Sequence, residues 1–300
     1  MERNTSISPN KNRIRQSLGS RIFDVVNITF LVLLGLSTLY PFWDTLVVSF
    51  SSLRGYLSTS IHLWPSEWSF EGYIYMLTNK ELWTSYANSI FITVVGTFIN
   101  MIITIMTAYV LSKKELKGHR VLTFLAVFTM MFSGGIIPTY MIVKDVGLMN
   151  SLWAMILPTA INTSSMIILR NFFMDMPKAL EEAAMLDGCT EVGVLFRVVI
   201  PNSKASIMTV ALLYAVDHWN DFFNAVLYIV DRPKWPLQLF LRSMLFETEA
   251  AYASGAQSLF LLGQPMKMAA VMMSVIPIMC MYPFFQKYFA KGVMVGAVKG

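Results

Sequence analysis

The sequence predicts an all-α protein that crosses a lipid bilayer several times, and three observations carry that prediction. Hydrophobic residues make up 55% of the 300 and charged residues only 14%, well below the quarter or so that is charged in an average soluble domain. The apolar residues are gathered into blocks of about 20, the length a helix needs to cross roughly 30 Å of hydrocarbon. Short polar stretches between the blocks hold most of the Lys and Arg. Backbone groups find no water in the bilayer core, so each block must close its hydrogen bonds internally, as a helix does.

Six blocks are expected, at about 22–48, 88–112, 121–143, 151–170, 205–230 and 267–286. The first follows Lys11, Arg13, Arg15 and Arg21. It is too long for a signal-peptide core and is followed by further blocks, so it reads as a retained first helix. The third contains Phe132-Ser133-Gly134-Gly135 and Pro138, and the sixth contains Pro277 and Pro283. Neighbouring helices can satisfy the backbone groups that such kinks set free.

Most of the 23 Lys and Arg fall in the N-terminal tail, the 113–120 loop, the 170–205 segment and the C-terminus. The positive-inside bias therefore puts both termini and these loops on the cytoplasmic side. The chain divides into a cytoplasmic tail, 1–21, and a transmembrane domain, 22–300. That domain carries one large inner loop, 171–204, and long outer stretches at 51–87 and 231–266.

A net charge of +5 does not indicate a nucleic-acid partner, because the basic residues are dispersed between apolar blocks rather than clustered with aromatics. Cys189 and Cys280 stand far apart outside any CxxC pair, and His62, His119 and His218 are scattered. Neither a disulfide framework nor a metal site is expected from them.

The inner loop is the most informative segment. Pro177 suits a first helical position, Glu181 and Glu182 occupy the early turns, and Gly188 suits the residue after the helix. Thr190 suits the cap of a second helix, which Pro201 ends. Two short helices joined at a glycine corner are expected. Ala183 and Ala184 leave a shallow face that another backbone can approach, with the acidic pair available to a basic partner. The alternative is a helical hairpin lying at the membrane interface with no partner.

Glu182-Ala183-Ala184, three residues, Gly188, nine residues and then Val198-Val199-Ile200-Pro201 resembles the EAA loop of binding-protein-dependent ABC importer permeases. The family pattern is EAA, three residues, G, nine residues, I-x-L-P; Val198 and Ile200 depart from it conservatively. Leu63-Trp64-Pro65, Asn88-Ser89, Trp219-Asn220-Asp221 and the run from Tyr282 to Gly300 look like the carbohydrate-uptake class, on its maltose-permease G-subunit side. The terminal run is similar to a subgroup associated with complex oligosaccharides.

The resemblance implies a type I importer permease fold with six transmembrane helices in a bacterial cytoplasmic membrane. It assigns coupling to an ATPase to Glu181, Glu182, Ala183, Ala184, Gly188 and Pro201. The partners it implies are a homologous second permease forming a heterodimer, two ATPase subunits and an extracytoplasmic solute-binding protein that delivers the oligosaccharide. The sequence contains no GxxxxGK[ST] phosphate loop, so ATP and Mg are expected on the ATPase chains and no cofactor on this one.

The fifth block carries Asp217, Asn220, Asp221 and Asn224 at i, i+3, i+4 and i+7, a polar stripe on an otherwise apolar helix. A carboxylate near the bilayer centre costs about 2.5–3.5 kcal/mol on insertion scales unless it faces water or a partner. The stripe is read as lining the sugar pathway, with Trp219 nearby to stack on a sugar face; the alternative is bonding between helices. His218, about 100° away from each neighbour, reads as a packed residue. Asn100, Thr104, Thr107 and the 162–165 cluster read as helix-interface glue. Two other functions are open on the residues: the same machine with a different cargo, or an intramembrane enzyme built on Asp217, His218 and Asp221. The outer stretch from Asp231 to Gln264, with its Leu237–Leu245 segment and Ser254-Gly255-Ala256, is expected to touch the binding protein.

Overall fold

The computed structural model describes residues 18–132, 134–254 and 263–297. The tail up to residue 17, Ser133, the 255–262 link and residues 298–300 lie outside the described residues. What is described is helical almost throughout, with one isolated bridge between Ser51 and Trp68.

Helix α1 (Leu18–Ser49) starts four residues before the expected block. Ile22, Phe30 and Leu39 are each more than half exposed along its length. It packs along the last helix of the chain, and the apolar surface that stays exposed faces lipid or a partner. The outer stretch that follows holds two short helices, α2 (Leu53–Ser58) and α3 (Glu71–Thr78). Phe50 packs on Trp68, Phe70 and Tyr73 there, with ring centroids 6.1, 5.6 and 4.9 Å apart.

Helix α4 (Lys80–Ser112) is the axis of the bundle. Asn79 caps it by accepting from the Glu81 amide at 2.8 Å, and Glu81 opposes the dipole in the first turn. Its buried side runs Ser85, Ser89, Ile92, Thr93, Gly96, Asn100, Thr104 and Ala108, mostly small residues at helical spacing. Small side chains let neighbouring helices come close. At Gly96 the approach is tightest: an added Cβ would stand 2.6 Å from His218 Nε2.

The third block is bent. Helices α5 (His119–Met131) and α6 (Ile136–Asp145) meet at 110°, with Gly135 at φ +89° in the break. The fourth block is not one helix. It holds a single turn, α7 (Trp153–Ile156), then an irregular stretch, then α8 (Thr163–Met174). Pro158 has no N–H to continue a helix, and Asn162 starts the next by accepting from the Ser165 amide at 3.1 Å.

The inner loop forms α9 (Lys178–Leu186) and α10 (Glu191–Val194), then a π-helical turn, Leu195–Val199, and α11 (Ile200–Asn202). Pro201 cannot donate to the Arg197 carbonyl, and Ile200 donates instead to Leu195, one residue further back. An 84° bend at Ser203 leads into α12 (Lys204–Asn220), followed by α13 (Phe223–Tyr228), α14 (Leu237–Ser254) and α15 (Gly263–Ala297).

Three described helices are long and apolar enough to cross a membrane, or five spans if each bent pair counts as one. Helix α12 packs on α4 and α15, and α8 packs on α4. The largest core unites Met101, Ala108, Leu111, Leu169, Phe173, Val194, Val199 and Val210. Through that core the inner loop is continuous with the bundle.

Candidate functional site

Lys178 is the first helical residue of α9, so Pro177 is its cap rather than its first position. The corner falls at Gly188, whose φ of +85° is left-handed backbone that a Cβ disfavours. Thr190 Oγ1 accepts from the Gly193 amide at 3.2 Å and opens α10. Glu182 and Ala183 are exposed, and Ala184 packs partly against the core. Leu186 at the corner is 90% exposed, with Val192 at 64% and Phe196 at 62% beyond it.

The two glutamates are not equivalent. Glu181 turns inward onto Lys113, the residue that ends α4, so it is not free for a partner as the sequence suggested. Lys113 also lies 3.8 Å from Glu191 and 4.6 Å from the centre of the Tyr109 ring. Tyr109 Oη donates to Glu191 Oε2 at 3.0 Å. Partial burial pulls the Lys113 ammonium down, but the hydrogen bonds to Glu181 and Tyr109 outweigh it and hold its pKa above the ordinary lysine value. It is charged throughout the neutral range. Outside this knot the exposed Lys178 pairs with Glu115. A cavity of about 570 Å³ lies between these charges and the end of α4.

A second cavity, about 440 Å³, opens where α12 ends. Its lining includes Asp217, Asn220, Asp221 and Asn224, but not on one continuous helix. Asp221 is extended, at φ −74° and ψ +94°. Its carboxylate accepts from the Asn224 amide at 3.1 Å and from Asn224 Nδ2 at 2.8 Å. An aspartate offering the backbone a local acceptor ends one helix and starts the next. Asp217 is exposed to the cavity.

Trp219 does not line this cavity. It is 4% exposed, sits in a core with Met76, Leu82 and Phe240, and donates from Nε1 to the Ser274 carbonyl at 3.2 Å. His218 is 6% exposed yet contributes to the wall. Its Nε2 accepts from Asn100 Nδ2 at 3.2 Å, and the same amide donates to the Thr159 carbonyl at 3.1 Å. Tyr214 Oη accepts from the Asn162 amide at 2.9 Å and meets Thr104 Oγ1 at 2.8 Å. Among the described residues, Asn100 Oδ1, Thr93 Oγ1 and Thr97 Oγ1 are buried with no hydrogen-bond partner, leaving spare hydrogen-bonding capacity along α4. Asp217 and Asp221 are the only ionisable carboxylates in the described lining, and neither Lys nor Arg belongs to it.

Sequence reasoning missed Lys113, Tyr109 and Tyr214. For Lys113 the basic loop after α4 was a signal of topology alone. The partners of Tyr109 and Tyr214 are set by packing between distant segments.

A family model described as binding-protein-dependent transport system inner membrane component matches residues 120–295. Protein LplC of Bacillus subtilis is 44% identical over 93% of this chain and 96% of its own. The polygalacturonan/rhamnogalacturonan transport system permease protein YtcP of the same organism is 41% identical over 94% and 99%. Among solved structures, a bacterial ABC transporter involved in import of the acidic polysaccharide alginate has a chain that superposes with a TM-score of 0.85. That chain is 34% identical, and the match covers 91% of this chain and 99% of the other.

Proposed function

The chain belongs to the binding-protein-dependent transport system inner membrane component family, and from that premise we propose that it imports an oligosaccharide as one of two homologous permeases driven by separate ATPases. It is a multi-pass membrane protein and a transport subunit, not an enzyme. In this reading both termini and the 171–204 loop face the cytoplasm, and an extracytoplasmic binding protein delivers the sugar. ATP and Mg reside on the two ATPase subunits.

The observation that carries the reading is the continuity between the exposed loop and the polar cavity. Motion of an ATPase enters at the shallow face around Ala183 and Ala184, with Glu182 and Leu186 offered beside it. The rigid core through Val194 and Val199 passes it to α12 across the bend at Ser203. Helix α12 ends at Asn220, in the cavity wall. A tilt of that helix therefore changes the cavity directly. Gly188 permits the corner and Pro201 the π-turn, so both shape the lever without touching cargo.

Inside the cavity, Asp217, Asn220, Asp221 and Asn224 supply carboxylate and amide groups to which sugar hydroxyls can donate and from which they can accept. Trp219 holds α12 against α15 through Ser274 and acts behind the wall. Polygalacturonan or rhamnogalacturonan for YtcP and alginate for the solved transporter are both polysaccharide cargoes, which supports a sugar rather than a peptide.

The test is uptake of labelled oligosaccharide by the complete transporter, with Glu182→Ala alongside. Uptake is expected to fall at least about tenfold while ATP hydrolysis by the complex persists, because a charged hydrogen-bond partner is worth about 1.5–3 kcal/mol. Undiminished uptake in the variant would remove the loop from coupling. A wild-type complex that hydrolyses ATP but moves no sugar would remove the cargo assignment.

A further inference from the structure

We propose that Arg242 is a carboxylate-recognising residue, which makes acidic oligosaccharides, those carrying uronate units, the cargo class of this transporter; the inference rests on the import reading above. Arg242 lies in α14, a helix that buries Leu237, Phe240 and Leu241 against α4, α12 and α15. On an adjacent face Gln238, Arg242 and Leu245, at i, i+4 and i+7, open onto a cavity of about 190 Å³ closed by Phe222, Ala270, Val271 and Ser274. That volume equals about six waters, room for a single sugar unit.

The guanidinium is held but not satisfied. Its Cζ lies 4.4 Å from the centre of the Phe222 ring and 5.3 Å from that of Phe246. The two rings attract the cation but offer it no oxygen acceptor, so its N–H groups are left to other partners. Among the described residues no hydrogen bond or ion pair is recorded for it, and the side chain is exposed. Arg170 shows the contrast: its Nε donates to the Leu111 carbonyl at 2.8 Å. A cation placed in a bilayer protein needs water or an anionic partner to offset its desolvation. A planar fork with free edges matches a carboxylate, which accepts two parallel N–H bonds from it.

Position gives the group a role in transport. Phe222, which lines this small cavity, is the chain neighbour of Asp221, which lines the larger one. Helix α14 begins where the Leu237 amide donates to Ser89 Oγ at 2.8 Å. Ser89 lies about 16 Å along α4 from Asn100, on the side away from the inner loop. A carboxylate held at Arg242 therefore sits beside the route into a chamber whose own charges, Asp217 and Asp221, are negative. Asp217 and Asp221 repel a carboxylate inside the chamber, so the cation at its side is where the acidic unit of such a sugar is held. Gln238, one turn before Arg242, offers an amide to the neighbouring hydroxyls.

The experiment uses the assembled transporter, with its partner permease, ATPases and binding protein, in proteoliposomes. The probes are tri-galacturonate and a neutral oligosaccharide of the same length, with Arg242→Gln and Arg242→Lys as variants. Basal ATP hydrolysis reports assembly. Wild type is expected to import the uronate. Arg242→Gln should lose about tenfold or more of that import, the effect of one charged hydrogen-bond partner, with basal hydrolysis intact. Arg242→Lys, which keeps the charge but not the fork, should fall between. Equal uronate import by wild type and Arg242→Gln overturns the proposal, as does loss of import together with basal hydrolysis, which marks a structural cation. Import of the neutral sugar alone by wild type also overturns it while leaving the import reading in place. Import of neither sugar by a complex that hydrolyses ATP defeats the import reading itself.

Discussion

The two larger cavities differ in how they treat charge. Beside the inner loop, Lys113 answers Glu181 and Glu191, and Lys178 pairs with Glu115 while also attracting Glu182. Where α12 ends, Asp221 accepts from Asn224, and among the described residues no ion pair answers Asp217 or Asp221. Asn100 and Lys113, one in each wall, stand on the same helix about 20 Å apart along its axis. Neutralised charge makes a joint that moves as a unit, and unanswered polar surface makes a wall over which contents can exchange partners. In the function proposed here, the first cavity would carry force and the second cargo.

Breaking the joint should have the larger effect. The side chains of Lys113 and Glu181 are 24% and 16% exposed, between surface pairs worth at most about 1 kcal/mol and buried pairs whose breakage costs about 3–5 kcal/mol. Lys113→Glu sets three carboxylates together, and sugar uptake is expected to fall at least about tenfold while ATP hydrolysis continues. Adding Glu181→Lys reverses the pair and should recover much of that loss. Failure of the double variant to recover anything, with normal membrane insertion, would show that Lys113 acts otherwise than through Glu181.

Altering the wall should do less. Asp217→Asn keeps shape and hydrogen bonding and removes a charge from a surface that water or sugar can satisfy. Uptake is expected to change by roughly two- to fivefold, in KM more than in maximal rate, with hydrolysis still coupled. A collapse of coupling in this variant would blur the distinction between the two cavities.

The smallest effect should come from the pair outside the knot. Hydrogen bonding to Lys178 holds the Glu115 carboxyl below the ordinary glutamate value, and Glu115 in turn raises Lys178. A carboxyl whose folded pKa is lowered contributes above its unfolded value, here 4.5, and its contribution fades as pH falls through the lower folded value. Nothing therefore changes at neutral pH. Glu115→Gln should leave uptake within about twofold, since both groups are exposed and screened. A larger loss would extend the joint outward to this pair.

What the sequence alone determined here is local. The apolar blocks, the Gly188 corner and the Thr190 cap were legible because helix periodicity, positive φ and capping depend on a few adjacent residues. The grouping of Asp217, Asn220, Asp221 and Asn224 was legible too, although its cause was different: a break at Asp221 replaces the continuous stripe, and the four residues still meet in one wall. The stop at 157–162 was signalled by Pro158 and Asn162 but outweighed by the apolar run around them. Tertiary structure decided the remaining questions, each across a long interval of chain. Glu181 is claimed by a lysine 68 residues away, Trp219 turns to a carbonyl 55 residues away, and His218 meets an asparagine 118 residues away. In a membrane, apolar side chains gain little by leaving lipid, so close fit and polar pairing between helices decide which faces meet. That fit depends on Gly96 and its small neighbours, on bends at Gly135 and Ser203, and on the packing of α12 against α4. None of those relations is a property of any one segment, and so they arise only when the helices are assembled.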